Sequence, residues 1–278
     1  MAAVVDPKLL PAELQEKLNK LETYLTALGS LAVGFSGGVD SAFLLAAAHH
    51  ALADRVIAVT GADASVPERE LREARAFCAQ WGIRHIVCKL DPLREEGYRR
   101  NSPDRCYYCK RGLFTEMQKI ADDNGVAFLA EGSNTDDLGD YRPGLRAAAE
   151  MNVKSPLRDV GFSKQEIRLL SRAMGLPTWN KPAYACLASR FVYGEEITEE
   201  KLRRIDRAEQ ALIDLGFFEE RVRLHGSIAR IEVPPQDIPL LASDEIREHV
   251  YSAFKEIGFS FVTLDLKGYV RGSMNATI

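Results

Sequence analysis

Apolar positions alternate between two spacings over the first half of the chain. Residues 12–28 place leucines at three- and four-residue steps, which predicts an amphipathic helix that ends at Gly29. Short apolar runs predict buried strands at 31–35, 55–60, 85–90 and 126–131, and longer segments predict helices at 42–53, 68–81 and 114–124. Strands that alternate with helices form βαβ units. The sequence therefore predicts an α/β fold, with a Rossmann-like parallel sheet and helices on both faces.

The pattern changes after residue 141. Ser163 and Glu166 form a capping box that predicts a helix over 163–174, and residues 178–194 have the composition of a loop. The remaining elements are a helix from Thr198, strands at 221–224 and 228–233, a helix at 245–257 and a strand at 259–266. We therefore predict two domains, 1–194 and a smaller α+β domain at 195–278.

Composition and charge narrow the functional class. The chain has 278 residues, 46% of them hydrophobic, and a net charge of −4, so no overall basic field attracts nucleic acid. Its longest uncharged run has 16 residues, including four glycines, which is shorter than the ~20 apolar residues of a membrane span. The first residues lack the pattern of a signal peptide. We expect a cytoplasmic protein that binds neither membranes nor nucleic acid.

A serine- and glycine-rich loop connects the first predicted strand to the next helix. Its residues are Ser36, Gly37, Gly38, Val39, Asp40 and Ser41. Backbone N–H groups at such a helix N-terminus bind phosphate, and glycines allow close approach. The loop lacks the lysine of a Walker A motif and the spacing of a dinucleotide-binding fingerprint. It predicts a phosphate site, with an ordinary turn as the alternative.

Further nucleotide contacts are expected at the ends of neighbouring strands. Ligands of open α/β sheets bind outside the carboxyl ends of the strands, which are marked here by Thr60 and Gly132. Asp136 and Asp137 follow the fourth strand and are candidates for metal or ribose contacts. A solvated turn explains these two aspartates equally well.

Three of the five cysteines have candidate chemistry. Cys106 and Cys109 form a C-x-x-C motif, and Cys186 lies in a later loop that could reach the same site. Three thiolates are suited to a [4Fe–4S] cluster with one open iron, to a zinc site completed by histidine, or to a sacrificial or persulfide thiol. Cys78 and Cys88 fall on apolar faces and are expected to be buried without a function.

These motifs resemble those of known families. The phosphate loop is similar to the signature of the N-type ATP pyrophosphatases, and the motifs together resemble the LarE family of sulfur transferases, which make the thio groups of the nickel-pincer nucleotide cofactor. The resemblance spans nearly the whole chain, at residues 35–41, 105–110, 131–137, 181–190, 221–225, 229–233 and 272–275.

The resemblance implies a reaction and a set of site residues. ATP adenylylates a carboxylate of pyridinium-3,5-biscarboxylic acid mononucleotide, with Asp40 binding Mg²⁺, and sulfur then displaces AMP to leave a thiocarboxylate. Family members with three cysteines use sulfide on a [4Fe–4S] cluster, here at Cys106, Cys109 and Cys186. Others consume the cysteine matching Cys186, which becomes dehydroalanine. The family also suggests a homo-hexamer that binds a small nucleotide substrate.

Arginines complete the predicted site. Arg190 follows Cys186 by four residues and would favour its thiolate, because thiolate character rises near cations. Arg221 and Arg223 alternate along one strand and would present two guanidinium groups to the substrate phosphate, a role that the family gives to arginines in this region. For each arginine, a solvated surface charge is the alternative.

Three other functions fit parts of the sequence. A tRNA-thiolating enzyme would also combine such a loop with C-x-x-C, but the acidic balance and the absence of a basic stripe disfavour RNA binding. An amidating ligase would make the three cysteines dispensable. A non-enzymatic ATP-binding module would show no conversion of ATP to AMP.

Overall fold

The computed structural model describes residues 10–139, 143–182 and 185–270. The strands are β1 (Leu31–Gly34), β2 (Val56–Ala62), β3 (Arg84–Lys89), β4 (Phe128–Ala130), β5 (Arg221–His225), β6 (Ile228–Glu232) and β7 (Phe261–Leu264). The helices are α1 (Ala12–Leu28), α2 (Val39–Leu52), α3 (Glu68–Gln80), α4 (Glu96–Arg99), α5 (Arg105–Asp123), α6 (Pro143–Glu150), α7 (Pro156–Val160), α8 (Lys164–Ala173), α9 (Glu199–Asp214), α10 (Ile238–Leu241) and α11 (Asp244–Ile257).

The chain divides into two compact units. The described residues of the first fall within Met1–Asp63, Glu68–Asp91 and Cys106–Tyr184, and those of the second fall within Ala64–Pro67, Pro92–Arg105 and Ala185–Ile278. The second unit thus combines the C-terminal part of the chain with two short earlier segments. The domain boundary at residue 194 stays a prediction.

The first unit contains a parallel sheet in the order β3-β2-β1-β4. Side chains alternate across β1, because successive residues of a strand point to opposite faces. Leu31 and Val33 join a core that includes side chains of α1, α2, α3 and α8, whereas Ala32 joins a second core with α5 and α6. The predicted α/β fold, with helices on both faces of a parallel sheet, is confirmed.

Local signals explain where several helices begin. At α8, the Ser163 hydroxyl accepts from the Glu166 amide, and the Glu166 carboxylate accepts from the Ser163 amide, which is the predicted capping box. At α9, the Thr198 hydroxyl accepts from the Lys201 amide at 3.2 Å. The prediction was wrong at α5, which begins at Arg105 rather than at 114, so the C-x-x-C motif lies on its first turn.

The second unit is built on a mixed sheet in the order β5-β6-β7. β5 pairs antiparallel with β6, and β6 pairs parallel with β7. The helices α9 and α11 supply the buried apolar side chains Leu202, Ile205, Leu212, Val250 and Phe254. This is the predicted smaller α+β arrangement. Within the described residues, no helix is both long enough and apolar enough to span a membrane.

Candidate active site

The phosphate loop lies in the first unit, between β1 and α2. Gly37 has φ +72°, a left-handed conformation that favours glycine, and Gly38 caps the N-terminus of α2. The hydroxyls of Ser36 and Ser41 are 3.1 Å apart, and Ser41 Oγ also donates to the Gly38 carbonyl at 3.1 Å. The predicted loop residues therefore form one compact turn that brings hydroxyls and backbone N–H groups to a helix N-terminus.

Gly132 allows the loop after β4 to approach the start of α2. A Cβ at Gly132 would lie 3.0 Å from the Ser41 amide nitrogen and 3.2 Å from the Asp40 carbonyl carbon. Such distances from backbone atoms are tighter than nearly all real Cβ contacts, so a side chain here would push the two segments apart. Gly132 thus borders the phosphate loop, and its direct contact with ATP stays a prediction.

Asp40 lies on the first turn of α2 and pairs with a lysine that the sequence analysis did not single out. Its Oδ2 accepts from Lys164 Nζ at 2.5 Å, whereas its Oδ1 is buried and has no hydrogen-bond partner. Burial raises the pKa of Asp40 against the opposing effect of Lys164, and Asp137 raises the pKa further. An unsatisfied carboxylate oxygen beside a phosphate loop fits Mg²⁺, which binds one or two carboxylates together with substrate phosphates.

The acidic turn after β4 contacts the start of α8. The Asn134 amide donates to Asp137 Oδ2 at 3.0 Å, and the Asp136 amide donates to Asn134 Oδ1 at 3.0 Å. The Lys164 amide donates to Asp136 Oδ2 at 3.3 Å. Asp136 and Asp137 are thus in part structural, and metal or ribose contacts by them stay predictions.

Thr60 has a structural contact at the base of the phosphate loop. Its side chain is buried, and Oγ1 donates to the Phe35 carbonyl at 2.6 Å and lies 2.8 Å from His85 Nε2. The hydroxyl therefore links β2 with β3 and with the backbone immediately before Ser36. A role of Thr60 in ATP binding stays a prediction.

Lys181 is a second lysine that the sequence analysis left without a role. Its Nζ donates to the Gly37 carbonyl at 3.3 Å, to Glu70 Oε2 at 2.8 Å and to Glu73 Oε2 at 2.7 Å. The signal that could have revealed it is the pair of glutamates three residues apart on α3, which present two carboxylates on one helix face. The partner of those carboxylates is distant in sequence, so the contact emerges only in the folded chain.

The C-x-x-C motif begins α5. Cys106 is exposed and Cys109 is partly exposed, and residues three apart on a helix lie on the same side. The adjoining Lys110 lies 3.8 Å from Glu131, a buried carboxylate at the end of β4. Within residues 10–139, 143–182 and 185–270, no three Cys, His, Asp or Glu side chains form a group that could hold a metal ion. The three-cysteine cluster thus stays a prediction.

Alkylation should distinguish the exposed Cys106 of the C-x-x-C motif from the buried Cys78. Cys78 is buried, and burial raises its pKa to about 12, whereas Cys106 is exposed. Because the thiolate is the nucleophile, we expect iodoacetamide at about pH 8 to alkylate Cys106 first and to leave Cys78 unmodified in the folded protein. Peptide mass spectrometry reads the order, and protein unfolded in guanidinium should be alkylated at all five cysteines. Early modification of Cys78 in the native protein would contradict its burial.

In the second unit, Cys186 lies directly before a 3-10 helix, Leu187–Arg190. Hydrogen bonds fix this segment to both of the earlier segments of the unit. The Leu187 amide donates to the Ser65 carbonyl at 2.9 Å, and Arg105 Nη1 donates to the Ala188 carbonyl at 2.8 Å. Arg105 directly precedes Cys106, so one side chain connects the chain entering the C-x-x-C motif with the segment after Cys186.

Arg190 is buried and paired rather than solvated. Its Nε and Nη2 donate to the two carboxylate oxygens of Glu209, at 2.7 and 3.0 Å, and Nη1 donates to the Ala185 carbonyl at 3.1 Å. Burial lowers the pKa of Arg190, but the charges of Glu209 and Cys186 more than offset that effect, so the pKa is raised. Arg190 therefore lies close enough to Cys186 for electrostatic interaction, while the predicted role in favouring the thiolate remains untested.

Arg221 and Arg223 are also buried, on β5. Arg223 donates to Glu232 Oε2 at 2.8 Å and to the Ser189 carbonyl at 3.1 Å. The Arg221 guanidinium lies 4.8 Å from the ring centroid of Tyr269, and burial together with Arg190 lowers its pKa. A solvated surface charge describes neither residue. Their binding of the substrate phosphate stays a prediction.

The fold and the phosphate loop together define a class. A family model described as NAD synthase matches residues 13–106, which include β1, the loop and α2. This chain contains an N-type ATP pyrophosphatase domain of that kind, and it is an ATP-using enzyme.

Whole-chain relatives define the family. A pyridinium-3,5-bisthiocarboxylic acid mononucleotide synthase of Lactiplantibacillus plantarum is 36% identical over 270 residues, which cover 96% of this chain and 96% of that protein. An uncharacterised protein of Synechocystis is 41% identical over 95% of this chain and 99% of its own length. An uncharacterised protein of Methanocaldococcus jannaschii is 28% identical over 85% of this chain and 89% of its own length. The chain belongs to the LarE family, the family of the first of these proteins.

Proposed function

We propose that this chain is an ATP-dependent sulfur transferase. It adenylylates carboxylates of pyridinium-3,5-biscarboxylic acid mononucleotide and converts them to thiocarboxylates. The observation that carries the proposal is the 36% identity, over 96% of both chains, with a synthase named for the bisthiocarboxylic product. The phosphate loop, Asp40 and the accessible cysteines supply the groups that such a reaction requires.

The first step uses the phosphate loop. A substrate carboxylate oxygen attacks the α-phosphorus of ATP, the bond from that phosphorus to the bridging oxygen breaks, and pyrophosphate leaves. Backbone N–H groups at the start of α2 and the hydroxyls of Ser36 and Ser41 hold the departing pyrophosphate. Asp40 would hold Mg²⁺, which would neutralise phosphate charge. Because Asp40 Oδ2 accepts from Lys164 in this structure, Lys164 would have to release that oxygen before it could bind the ion.

The second step replaces oxygen by sulfur. A sulfur nucleophile attacks the carbonyl carbon of the acyl adenylate, the bond to the phosphate oxygen breaks, and AMP leaves. With sulfide as the nucleophile, the product is the thiocarboxylate directly. With the Cys186 thiolate, a thioester forms, and loss of the cysteine α-proton with cleavage of its Cβ–S bond leaves the thiocarboxylate and dehydroalanine.

We propose Cys106, Cys109 and Cys186 as ligands of a [4Fe–4S] cluster, with Cys186 as a sacrificial donor the alternative. The cluster would supply an open iron that binds sulfide. All three cysteines are at least partly exposed, which supports either role.

The roles of the arginines, the oligomeric state and the cellular location are also proposals. Arg221 and Arg223 bind the substrate phosphate after exchanging part of their present contacts, and Arg190 stabilises the Cys186 thiolate. A homo-hexamer is supported by large exposed apolar side chains of the second unit, namely Phe218, Leu240, Phe261 and Leu266. A cytoplasmic location is supported by the free cysteines.

The test separates the two steps. In Cys186→Ala we expect pyrophosphate release to continue with ATP and the biscarboxylic mononucleotide, while thiocarboxylate formation is lost, because only the sulfur step needs the thiol. A pyrophosphate assay and mass spectrometry of the mononucleotide measure the two steps. Cys88→Ala, at a half-buried cysteine on β3, should retain both. Normal thiocarboxylate formation by Cys186→Ala would remove both sulfur mechanisms.

Iron and acid-labile sulfide content of protein purified without oxygen distinguishes the sulfur sources. About four irons per chain, lost in Cys106→Ala, would support the cluster. An iron-free protein that acquires dehydroalanine at residue 186 after one turnover would support the sacrificial cysteine.

A further inference from the structure

All three N–H donors of the Lys181 ammonium group make hydrogen bonds that hold it at the phosphate loop. An ammonium has three N–H donors, and here they serve the Gly37 carbonyl, Glu70 and Glu73. The side chain is only 12% exposed. Its backbone is fixed as well, since Arg168 Nη2 donates to the Lys181 carbonyl at 2.8 Å. A lysine held in this way is part of the loop's structure rather than a solvated charge.

The contact with Gly37 determines the direction of a phosphate-binding N–H group. In a trans peptide, the carbonyl and the following N–H point in opposite directions. The Gly37 carbonyl, which accepts from Lys181, shares its peptide plane with the Gly38 N–H. That N–H points toward Ser36 Oγ at 3.4 Å, on the side of the two loop hydroxyls. Glycine at φ +72° restricts rotation of this plane little, and two contacts hold it: the long one from the Gly38 N–H to Ser36 Oγ and the one from Lys181 to the Gly37 carbonyl.

We propose that Lys181 is a positioning residue that orients the Gly37–Gly38 peptide so that its N–H points at the pyrophosphate of ATP. The proposal rests on the proposed function only in taking ATP as the nucleotide. Glu70 and Glu73 hold the ammonium against the carbonyl and keep it charged, and Lys181 itself need not touch the phosphates. The same motif, residues 181–190, also contains Cys186.

Binding of inorganic pyrophosphate with Mg²⁺ tests the inference in the full-length chain, measured by isothermal titration calorimetry. In Lys181→Met we expect affinity to fall about 10- to 100-fold, the cost of losing one well-directed hydrogen bond to a charged group. Lys20→Met is the matched control, because Lys20 is an exposed lysine paired to Glu16 at 2.7 Å, and its affinity should stay unchanged. Unchanged affinity in Lys181→Met would overturn the proposal.

A triple variant distinguishes loss of the peptide's orientation from repulsion between the glutamates and the phosphates. Lys181→Met alone leaves two glutamates near the phosphates, and their repulsion could also weaken binding. Lys181→Met with Glu70→Gln and Glu73→Gln removes that repulsion and leaves no buried carboxylate unpaired, which favours folding. If orientation matters, the triple variant still binds pyrophosphate weakly. If it binds as tightly as the wild type, charge alone explains the effect and the proposal is wrong.

Failure of the proposed function would look different. Pyrophosphate binding needs neither the mononucleotide nor a sulfur source. A protein that binds pyrophosphate through Lys181 but forms no thiocarboxylate would retain the positioning role and lose the sulfur transferase proposal.

Discussion

Asp40→Asn should reduce AMP formation about 100- to 1,000-fold, as removal of a charge-stabilising group from a preorganised site commonly does. Asparagine keeps the shape of the side chain but lacks the negative charge that holds Mg²⁺ against the phosphates. The fold should persist, because the asparagine oxygen can still accept from Lys164 and burial already disfavours the charged form of Asp40. The measurement is conversion of labelled ATP to AMP with the biscarboxylic mononucleotide, beside a thermal unfolding curve.

Asp54→Asn serves as the control for this result. Asp54 is an exposed aspartate in the short 3-10 helix after α2, outside the phosphate loop, and its replacement should leave AMP formation unchanged. Wild-type turnover by Asp40→Asn would exclude Asp40 as a ligand of the catalytic metal. Loss of turnover together with an early unfolding transition would instead identify a structural role.

Glu209→Gln should lower the free energy of unfolding by about 3–5 kcal/mol, the usual cost of leaving one partner of a buried ion pair uncompensated. Glu209 and Arg190 are 0% and 1% exposed, and Glu209 Oε1 also accepts from the Val222 amide at 3.0 Å. Chemical denaturation at neutral pH measures the loss. Glu200→Gln is the matched control, because Glu200 pairs with Arg204 at the surface, and its effect should stay within about 0.5 kcal/mol.

The difference in unfolding free energy between wild type and Glu209→Gln should change with pH in a defined direction. The ion pair lowers the pKa of Glu209 below its ordinary value of 4.5, so its contribution to stability is complete above that value. As the pH falls from 4.5 through the lowered pKa, the contribution is lost, and wild type and Glu209→Gln should converge. Replacing both partners, as in Arg190→Met with Glu209→Leu, should cost less than Glu209→Gln alone. An equal or larger loss in the double variant would show that the pair is not the source of the effect.

Local signals predicted most of the fold. The capping box at Ser163 predicted the start of α8, and short apolar runs predicted the strands of the parallel sheet. The start of α5 was missed because its first turns carry tyrosines, cysteines and basic residues without the apolar spacing that marks a helix. Apolar periodicity reveals which face of a helix is buried. Because the first turns of α5 bury few side chains, they carry no such periodicity.

The site was predictable only where its residues are contiguous. The phosphate loop could be found because six neighbouring residues suffice to form it. Lys164 and Lys181 were missed because each acts through a partner more than a hundred positions away, Asp40 or Glu70. The buried ion pairs of Arg190 and Arg223 were missed for a different reason: Glu209 and Glu232 are close in sequence, but they lie on other elements that meet these arginines only in the folded chain.

The division of the second unit has a consequence during synthesis on the ribosome. Residues 92–105 emerge long before Ala188 and Val192, whose carbonyls accept from Arg105 and Asn101. Until that later part of the chain has left the exit tunnel, the guanidinium of Arg105 can reach Asn101 Oδ1 but not the Ala188 carbonyl. The chain that leads into Cys106 therefore completes its contacts only late in translation, so folding of the second unit is not a simple N-to-C progression.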